Sequence, residues 1–311
     1  MNIRVTIVIP TFNAGPMLDQ VLSAIDSQNC DVRPELVAID SGSTDGTLER
    51  LQRHRATVLS VQPGTFNHGE TRNAALARVD AMFAVLLVQD AVPVSSAWLG
   101  ALLDPLLKDA RVAGSFARQA PAPGASEITT HYLSRWVAAA EQARTVGPLA
   151  QEDFDRLSPV QRHAVCAFDN VCSCIRTSVW REHPFRKTAI AEDLEWARDV
   201  LLAGYRIAYA PAAVVRHSHE RSVRYELQRT YLVHQRLQEL FELSTIPSLG
   251  SLVRSVASTV PANARIAARE AAGRARAVLR GAALGVAMPV GQYLGARSAR
   301  EGRELLRTSG I

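Results

Sequence analysis

Cysteine is scarce in this sequence, four among 311 residues, and aromatic residues make up only 6%. So few thiols exclude a disulfide-stapled scaffold. Cys172 and Cys174, with Cys166 near and Cys30 distant, lack a second pair at the spacing of a structural zinc site, so buried free thiols are expected. With 18 glycines and 15 prolines, collagen-like repeats are excluded too. Long apolar runs are also missing. The longest uncharged stretch, residues 281–296, is interrupted by Pro289 and Gln292 and falls short of the ~20 residues that a membrane span requires. The first apolar run gives way to Pro10, Thr11 and Asn13 too early for a secretory signal, so a cytoplasmic protein is expected. What remains, 47% hydrophobic and 21% charged, is the composition of a globular chain rather than a disordered one.

The net charge of +5 is unevenly placed. Residues 245–311 hold ten arginines, no lysine and three glutamates, a charge of +7, which leaves −2 for residues 1–244. The basic character belongs to the tail, which argues against a nucleic-acid-binding protein as a whole.

Over the first 120 residues strand and helix signals alternate. Strands are expected at 4–9, 36–39, 57–61, 82–88 and 112–116, with helices between them, the second capped by Ser43 or Thr44. Continuous apolar strands separated by helices imply a mostly parallel sheet covered on both faces, whose ligands sit at the carboxyl ends of the strands. The residues there are Thr11 and Asn13, Asp40 and Ser41, 66–72, and Gln89-Asp90. Further on, 126–144 reads as helix, 148–165 as loop and 168–176 as strand. Helix is expected again at 190–203, short strands at 205–209 and 214–217, and a long helix over 222–243.

Two segments carry a resemblance. Thr6-Ile7-Val8-Ile9-Pro10-Thr11-Phe12-Asn13, followed by Asp40-Ser41-Gly42-Ser43-Thr44-Asp45-Gly46-Thr47, look like the opening of family 2 glycosyltransferases of the GT-A fold, and the likeness extends over residues 1–240. It implies a Rossmann-like, mostly parallel α/β sandwich, with nucleotide-sugar binding in 1–120 and the acceptor side and catalytic base in 121–244; the composition and periodicity of 245–311 add a C-terminal helical extension. Pro10, Thr11, Asn13, Asp40 and Ser41 would cradle the nucleotide. A carboxylate at a strand end suits the N–H of a pyrimidine base, whereas Asp45 before Gly46 also fits a plain turn former.

The remaining motifs follow the family's order. A diphosphate leaves a sugar readily only when a divalent cation neutralises its charge, and Mg²⁺ or Mn²⁺ takes hard oxygen ligands. The family's usual Asp-x-Asp is reduced here to Asp90, with Gln89 before and Ala91 after, and a capping Asp before Pro93 is the plain alternative. In the resemblance a histidine after the late strand completes the metal or phosphate site; His217 matches it best, and His219 falls on the same strand face. Glu192-Asp193-Leu194-Glu195-Trp196 opens a helix whose dipole favours acids, a plain alternative that fits Glu195 and also Glu192. Asp193 matches the family's base, and inversion needs one group to take the acceptor's proton. Asn170, Glu192 and Trp196 would face the acceptor.

Gly64-Thr65-Phe66-Asn67-His68-Gly69-Glu70-Thr71-Arg72-Asn73, together with Gln89-Asp90, is similar to bacterial rhamnosyltransferases that use dTDP-L-rhamnose. Phe66, Asn67, His68, Gly69, Arg72 and Gln89 would then line the donor sugar. Phe66 offers an apolar face to a deoxy sugar's methyl group, and a capped loop with a buried Phe is the plain alternative. The activity implied is inverting transfer of rhamnose to a lipid-linked or growing cell-surface glycan. A UDP-hexose donor or an inactive nucleotide-sugar-binding module are the alternatives. A nucleotidyltransferase is disfavoured, since 10–15 lacks a Gly- and Arg-rich triphosphate loop. In the tail, arginines interleave with apolar residues at helical spacing. That pattern fits solvated packing helices, a dimerisation arm, or an interfacial helix at a membrane surface.

Overall fold

The computed structural model describes residues 3–62, 64, 66–270 and 273–308, so Thr65 of the quoted motif lies outside the described residues. The first half runs β1 (Val5–Thr11), α1 (Met17–Asp26), β2 (Glu35–Asp40), α2 (Thr47–Arg53), β3 (Thr57–Ser60), α3 (His68–Leu76), β4 (Phe83–Leu87), β5 (Val92–Pro93), α4 (Trp98–Lys108) and β6 (Val112–Ala120). Then follow α5 (Glu127–Leu133), β7 (Arg144–Val146), α6 (Gln151–Arg156), α7 (Pro159–Val165), β8 (Cys172–Arg176), α8 (Thr177–Glu182), α9 (Glu192–Leu202) and β9 (Arg206–Arg216). Three helices end the chain, α10 (Val223–Phe241), α11 (Leu249–Ala267) and α12 (Arg274–Glu301).

The strands form one mixed, mostly parallel sheet in the order β3-β2-β1-β4-β8-β6-β9-β5, with β7 also on β9. β8 runs antiparallel between β4 and β6, and β9 is parallel to β6. The reversal of β8 has a functional consequence. Cys172, at the start of β8, pairs with Leu87 at the end of β4, so the loop before β8 arrives at the edge where β4 delivers Asp90. Pairing of Ala120 with Arg216 sends Gln119 and His217 to the same edge. The expected α/β class is borne out, and so is the fully buried β4: Phe83, Ala84, Val85, Leu86 and Leu87 are all buried, and Phe83, Val85 and Leu87 belong to the main hydrophobic cluster.

Local details differ from the sequence reading for identifiable reasons. Gly46, in the left-handed region at φ 87°, precedes α2, because Ser43 spends its hydroxyl on Asp40 and on the Asn13 amide instead of on a helix terminus. The long helix expected over 126–144 stops at Leu133, and 148–165 contains two short helices where a loop was expected. The strand expected from 168 begins at Cys172, since the Asp169 side chain takes the Val171 amide and turns the chain. The two late strands are one bulged strand, β9. All four cysteines are free; Cys166, Cys172 and Cys174 are buried, and burial pushes the Cys166 thiol up to about 12.

By internal contacts the chain divides into two compact units: Met1–Ala120, Trp136–Arg156 and Val165–His217 in the first, and Pro121–Arg135, Leu157–Ala164 and Ser218–Ile311 in the second. The first contains the whole sheet. In the second, α12 packs against α10 and α11 at unusually close range. A Cβ on Gly285 would stand 2.7 Å from the Val260 Cα, and one on Gly295 would stand 2.1 Å from the Tyr231 carbonyl oxygen. The uncharged stretch 281–296 is thus explained by helix packing, where small residues let backbones approach. α10, expected with the first 244 residues, packs within this second unit.

Candidate active site

The loops after β1 and β2 are stitched to one another. Asp40 is buried and accepts from the hydroxyls of Thr11 (2.8 Å) and Ser43 (2.6 Å) and from the amides of Gly42 (3.0 Å) and Ser43 (2.8 Å). Burial opposes its ionisation, but these bonds prevail and hold its pKa below the usual carboxylate value. Asn13 sits at φ 44°, a conformation asparagine tolerates, and its Oδ1 accepts from the Thr44 amide at 2.9 Å. The Ser41 amide donates to the Thr11 carbonyl at 2.9 Å. Pro10 is accommodated because its nitrogen faces the β4 side, beyond the last pair of that ladder at Val8.

Gln89 continues this pattern. Two residues past the end of β4, its Oε1 accepts from the Phe12 amide at 2.8 Å and its Nε2 donates to the Phe12 carbonyl at 3.1 Å. The side-chain amide therefore acts as one further rung of the β1–β4 ladder. It fixes a loop whose Phe12 ring is 55% exposed.

Asp90 follows, with its Oδ1 3.6 Å from the Nε2 of His217. This is too long for a hydrogen bond. It matches the ~3.1–3.6 Å between two ligand atoms that share a divalent cation about 2.2 Å away. The ligand atoms of Asp90, His217 and His219 all lie within 4.8 Å of one another. The tautomer of His217 follows from its neighbours. The carboxylate of Asp169 can only accept, so the Nε2 of Gln119 faces it at 2.6 Å, leaving the Gln119 Oε1 to accept from the His217 Nδ1 at 3.0 Å. Nδ1 is thus the donor, and Nε2 is the ring atom that faces Asp90 and would bind a metal ion. The residues fit a divalent cation with mixed oxygen and nitrogen ligands.

Asp169 leads to the second cluster. Its other bonds come from the Trp136 indole N–H at 2.9 Å and the Val171 amide at 2.9 Å, and the next residue, Asn170, donates its amide to the Asp193 Oδ2 at 3.2 Å. Asp193 is partly buried at the start of α9. Burial first, then the carboxylates of Glu192 and Asp169, push it up to about 8. Ala191, just before, is held at φ 63°, an arrangement that costs a residue with a Cβ about 1 kcal/mol. That turn is why α9 begins at Glu192 and not at Ile190.

Glu192 faces inward. Its Oε1 pairs with the Nη1 of Arg72 at 2.7 Å and accepts from the Asn170 Nδ2 at 3.3 Å; both charged residues are about 95% buried. Burial opposes the charge on Glu192, but Arg72 and His68 prevail and keep its pKa below the usual value. Burial, reinforced by the Arg72 cation and opposed by Glu192, lowers the pKa of His68. Arg72, expected to reach the donor, is thereby committed to Glu192, 120 positions away.

The donor-loop residues have mixed fates. Phe66 is 43% exposed and stands edge-on to His68, with ring centroids 4.9 Å apart. Asn67 caps α3, and Gly69 is required because a Cβ there would meet the Arg186 carbonyl oxygen at 2.1 Å. On the acceptor side, Asn170 positions both acids. Trp196 is 2% exposed, packs on Phe168 and Phe185, and gives its N–H to the His183 carbonyl, so it presents no face to an acceptor. Gln119, Asp169 and Trp136 escaped the sequence reading. The one available signal was polarity: Gln119 lies with Arg118 in the polar end of a strand that is otherwise mostly small and apolar, and Asp169 precedes Asn170 just before β8.

The sequence model of glycosyl transferase family 2 matches residues 6–162. The chain is 32% identical over 240 residues to the O-antigen chain rhamnosyltransferase RfbN of Salmonella typhimurium, covering 73% of this chain and 70% of that protein. It is 31% identical over 236 residues to the O-antigen chain rhamnosyltransferase WbaN of Salmonella anatum, with the same coverages of 73% and 70%. Among solved structures it resembles the Pyrobaculum calidifontis mannosyltransferase PcManGT in complex with GDP-Man and Mn²⁺, at TM-score 0.61 and 19% identity, over 98% of this chain and 89% of that one. S. aureus TarS, residues 1–349, matches at TM-score 0.54 and 15% identity, over 97% and 92%. At these identities the structures establish the fold alone.

Proposed function

Because this chain belongs to glycosyl transferase family 2, we propose that it transfers L-rhamnose from dTDP-L-rhamnose, with inversion, to a hydroxyl of a lipid-linked or growing cell-surface glycan. The observation that carries the chemistry is the continuous chain of contacts from Asp90 and His217 through Gln119, Asp169 and Asn170 to Asp193, which joins a cation site to a basic carboxylate. The choice of sugar rests on the two rhamnosyltransferase relatives and on the Phe66–Arg72 loop.

In this reading the loops after β1 and β2 receive the nucleotide. Asp40 organises their shape, and a base N–H would replace one of its present donors. Asp90 and His217, with His219, would hold Mg²⁺ or Mn²⁺, which when bound supplies positive charge beside the departing diphosphate. Asp193 accepts the proton of the attacking hydroxyl as the new C1–O bond forms and the bond from C1 to the diphosphate breaks. A pKa raised toward neutrality makes it a stronger base than an ordinary carboxylate. Phe66 offers its exposed ring to the sugar's methyl group.

Thermal stabilisation by ligands tests the donor half without an acceptor, because a ligand that binds only the folded state raises Tm. With Mn²⁺ present, dTDP-L-rhamnose is expected to raise Tm several degrees more than UDP-hexoses, and Asp90→Ala or His217→Ala should remove most of the metal-dependent increment. An equal shift with UDP-hexoses would sink the rhamnose assignment. No shift with any nucleotide sugar would favour a module without this activity.

The helical second unit supports a peripheral membrane role. Leu249, Val253, Leu279 and Val286 are exposed on α11 and α12, as are Arg254, Arg265 and Arg276 on the same two helices and Arg269 in the turn after α11. Among the described residues no helix is long and apolar enough to cross a membrane. We expect co-sedimentation with phosphatidylglycerol vesicles and not with phosphatidylcholine vesicles, lost when Leu249, Val253 and Leu279 are changed to serine. Equal binding to both vesicles, or none to either, would dismiss the role.

A further inference from the structure

Four tryptophans occur in this chain, and three are core residues: Trp98 is 0%, Trp196 2% and Trp180 7% exposed. Trp136 is 37% exposed, yet it is held firmly. Its indole N–H is bound to Asp169. It opens a short 3-10 turn whose Ala138 is fully buried, and the end of that turn is fixed by the Tyr209 hydroxyl, which donates to the Ala140 carbonyl at 2.6 Å. A large aromatic left in water but denied its rotamer freedom is preorganised for a partner.

Its position indicates which partner. Trp136 binds Asp169, and Asp193 binds the amide of the adjacent Asn170, so ring and carboxylate flank the same two-residue segment. Five positions after Trp136, Glu141 forms an exposed ion pair with Arg118 at 3.1 Å, and Arg118 immediately precedes Gln119. An apolar ring face beside charged and amide groups suits a pyranose, which presents C–H bonds on one face and hydroxyls around its rim. A lipid chain would need a continuous apolar path, and these neighbours are charged.

We infer that Trp136 is the stacking platform of an acceptor-saccharide subsite, holding the sugar whose hydroxyl Asp193 deprotonates. The inference rests on the glycosyltransferase reading above and names its acceptor class at the point of attachment. Trp136 is a positioning residue: it orients the acceptor and takes no part in proton transfer.

As the exposed tryptophan, Trp136 dominates quenching of the intrinsic fluorescence by acrylamide, and Trp136→Phe identifies its contribution. With dTDP and Mn²⁺ present, the full chain is titrated with methyl glycosides of rhamnose, mannose, galactose and N-acetylglucosamine. At least one glycoside is expected to protect Trp136 from quenching in a saturable way. In transfer assays with that glycoside and dTDP-L-rhamnose, Trp136→Ala should raise the acceptor KM about tenfold with a smaller change in kcat, and Trp136→Phe, which keeps an aromatic face, should lie between. The Tm shift given by dTDP with Mn²⁺, measured in each variant, reports whether fold and donor half are intact. If the shift is present but no glycoside protects Trp136, or Trp136→Ala leaves the acceptor KM unchanged, the subsite is refuted while the donor reading stands. If neither nucleotide nor glycoside binds the native chain, both fall together.

Discussion

Asp193→Asn is expected to abolish transfer, by about 10³-fold or more in kcat, while leaving the metal-dependent Tm shift with donor intact. Burial, Glu192 and Asp169 all oppose the negative charge of this carboxyl and raise it from 3.8 to about 8. The base must be deprotonated to accept a proton. In the native enzyme kcat/KM should therefore climb about tenfold per pH unit below 8 and level off above it, with the limb belonging to the coupled acids and not to one residue alone. Asp169→Asn removes one repelling carboxylate and should move the limb to lower pH. Stability runs the opposite way. A carboxyl whose folded pKa lies above its unfolded value disfavours the folded state increasingly as pH rises from about 4 to about 8. Asp193→Asn removes that penalty, so its Tm at pH 8 should equal or exceed the native value. An inactive variant with a lowered Tm, or a limb near pH 4, would contradict the assignment.

Glu192→Ala should be the most destabilising single change at the site. Removing it leaves the Arg72 cation buried with its principal partner gone, which costs about 3–5 kcal/mol and lowers Tm by about 10 °C for a domain of this size. Replacing both partners, as Arg72→Met with Glu192→Leu, should recover much of the loss, because an apolar pair carries no desolvation penalty. The pH dependence has a definite sign. The folded pKa of Glu192 is depressed, so its contribution is complete above the unfolded value near 4.5 and is lost as pH falls through the lower folded value. Thermal melts of the two singles and the double, at neutral and acidic pH, give the coupling directly. Additive losses in the double variant would show that the pair is not an energetic unit.

Much of the first unit was legible in the sequence because its signals are local. An apolar run such as Phe83, Ala84, Val85, Leu86 and Leu87 identifies a buried strand, and the polar residues that end each strand mark the edge where chemistry occurs. Asp40 and Asp90 could be singled out in this way, Asp193 and His217 by the resemblance of their motifs, and the helical character of the tail by its periodicity.

The partnerships among those residues were decided by tertiary structure. The antiparallel placement of β8 between β4 and β6 brings residues 169–170 to the edge that holds Asp90. No periodicity within β8 records which strands it will pair with. Arg72 and Glu192 are 120 positions apart, and only folding commits each to the other instead of to substrate. The two tryptophans make the same point. Trp196 follows the motif acids in sequence, but a helix face turned to the core buries it, while Trp136, outside every motif, is left exposed and hydrogen-bonded beside them. Sequence determines which residue types reach the sheet edge. Burial and long-range pairing determine which of them remain available to react.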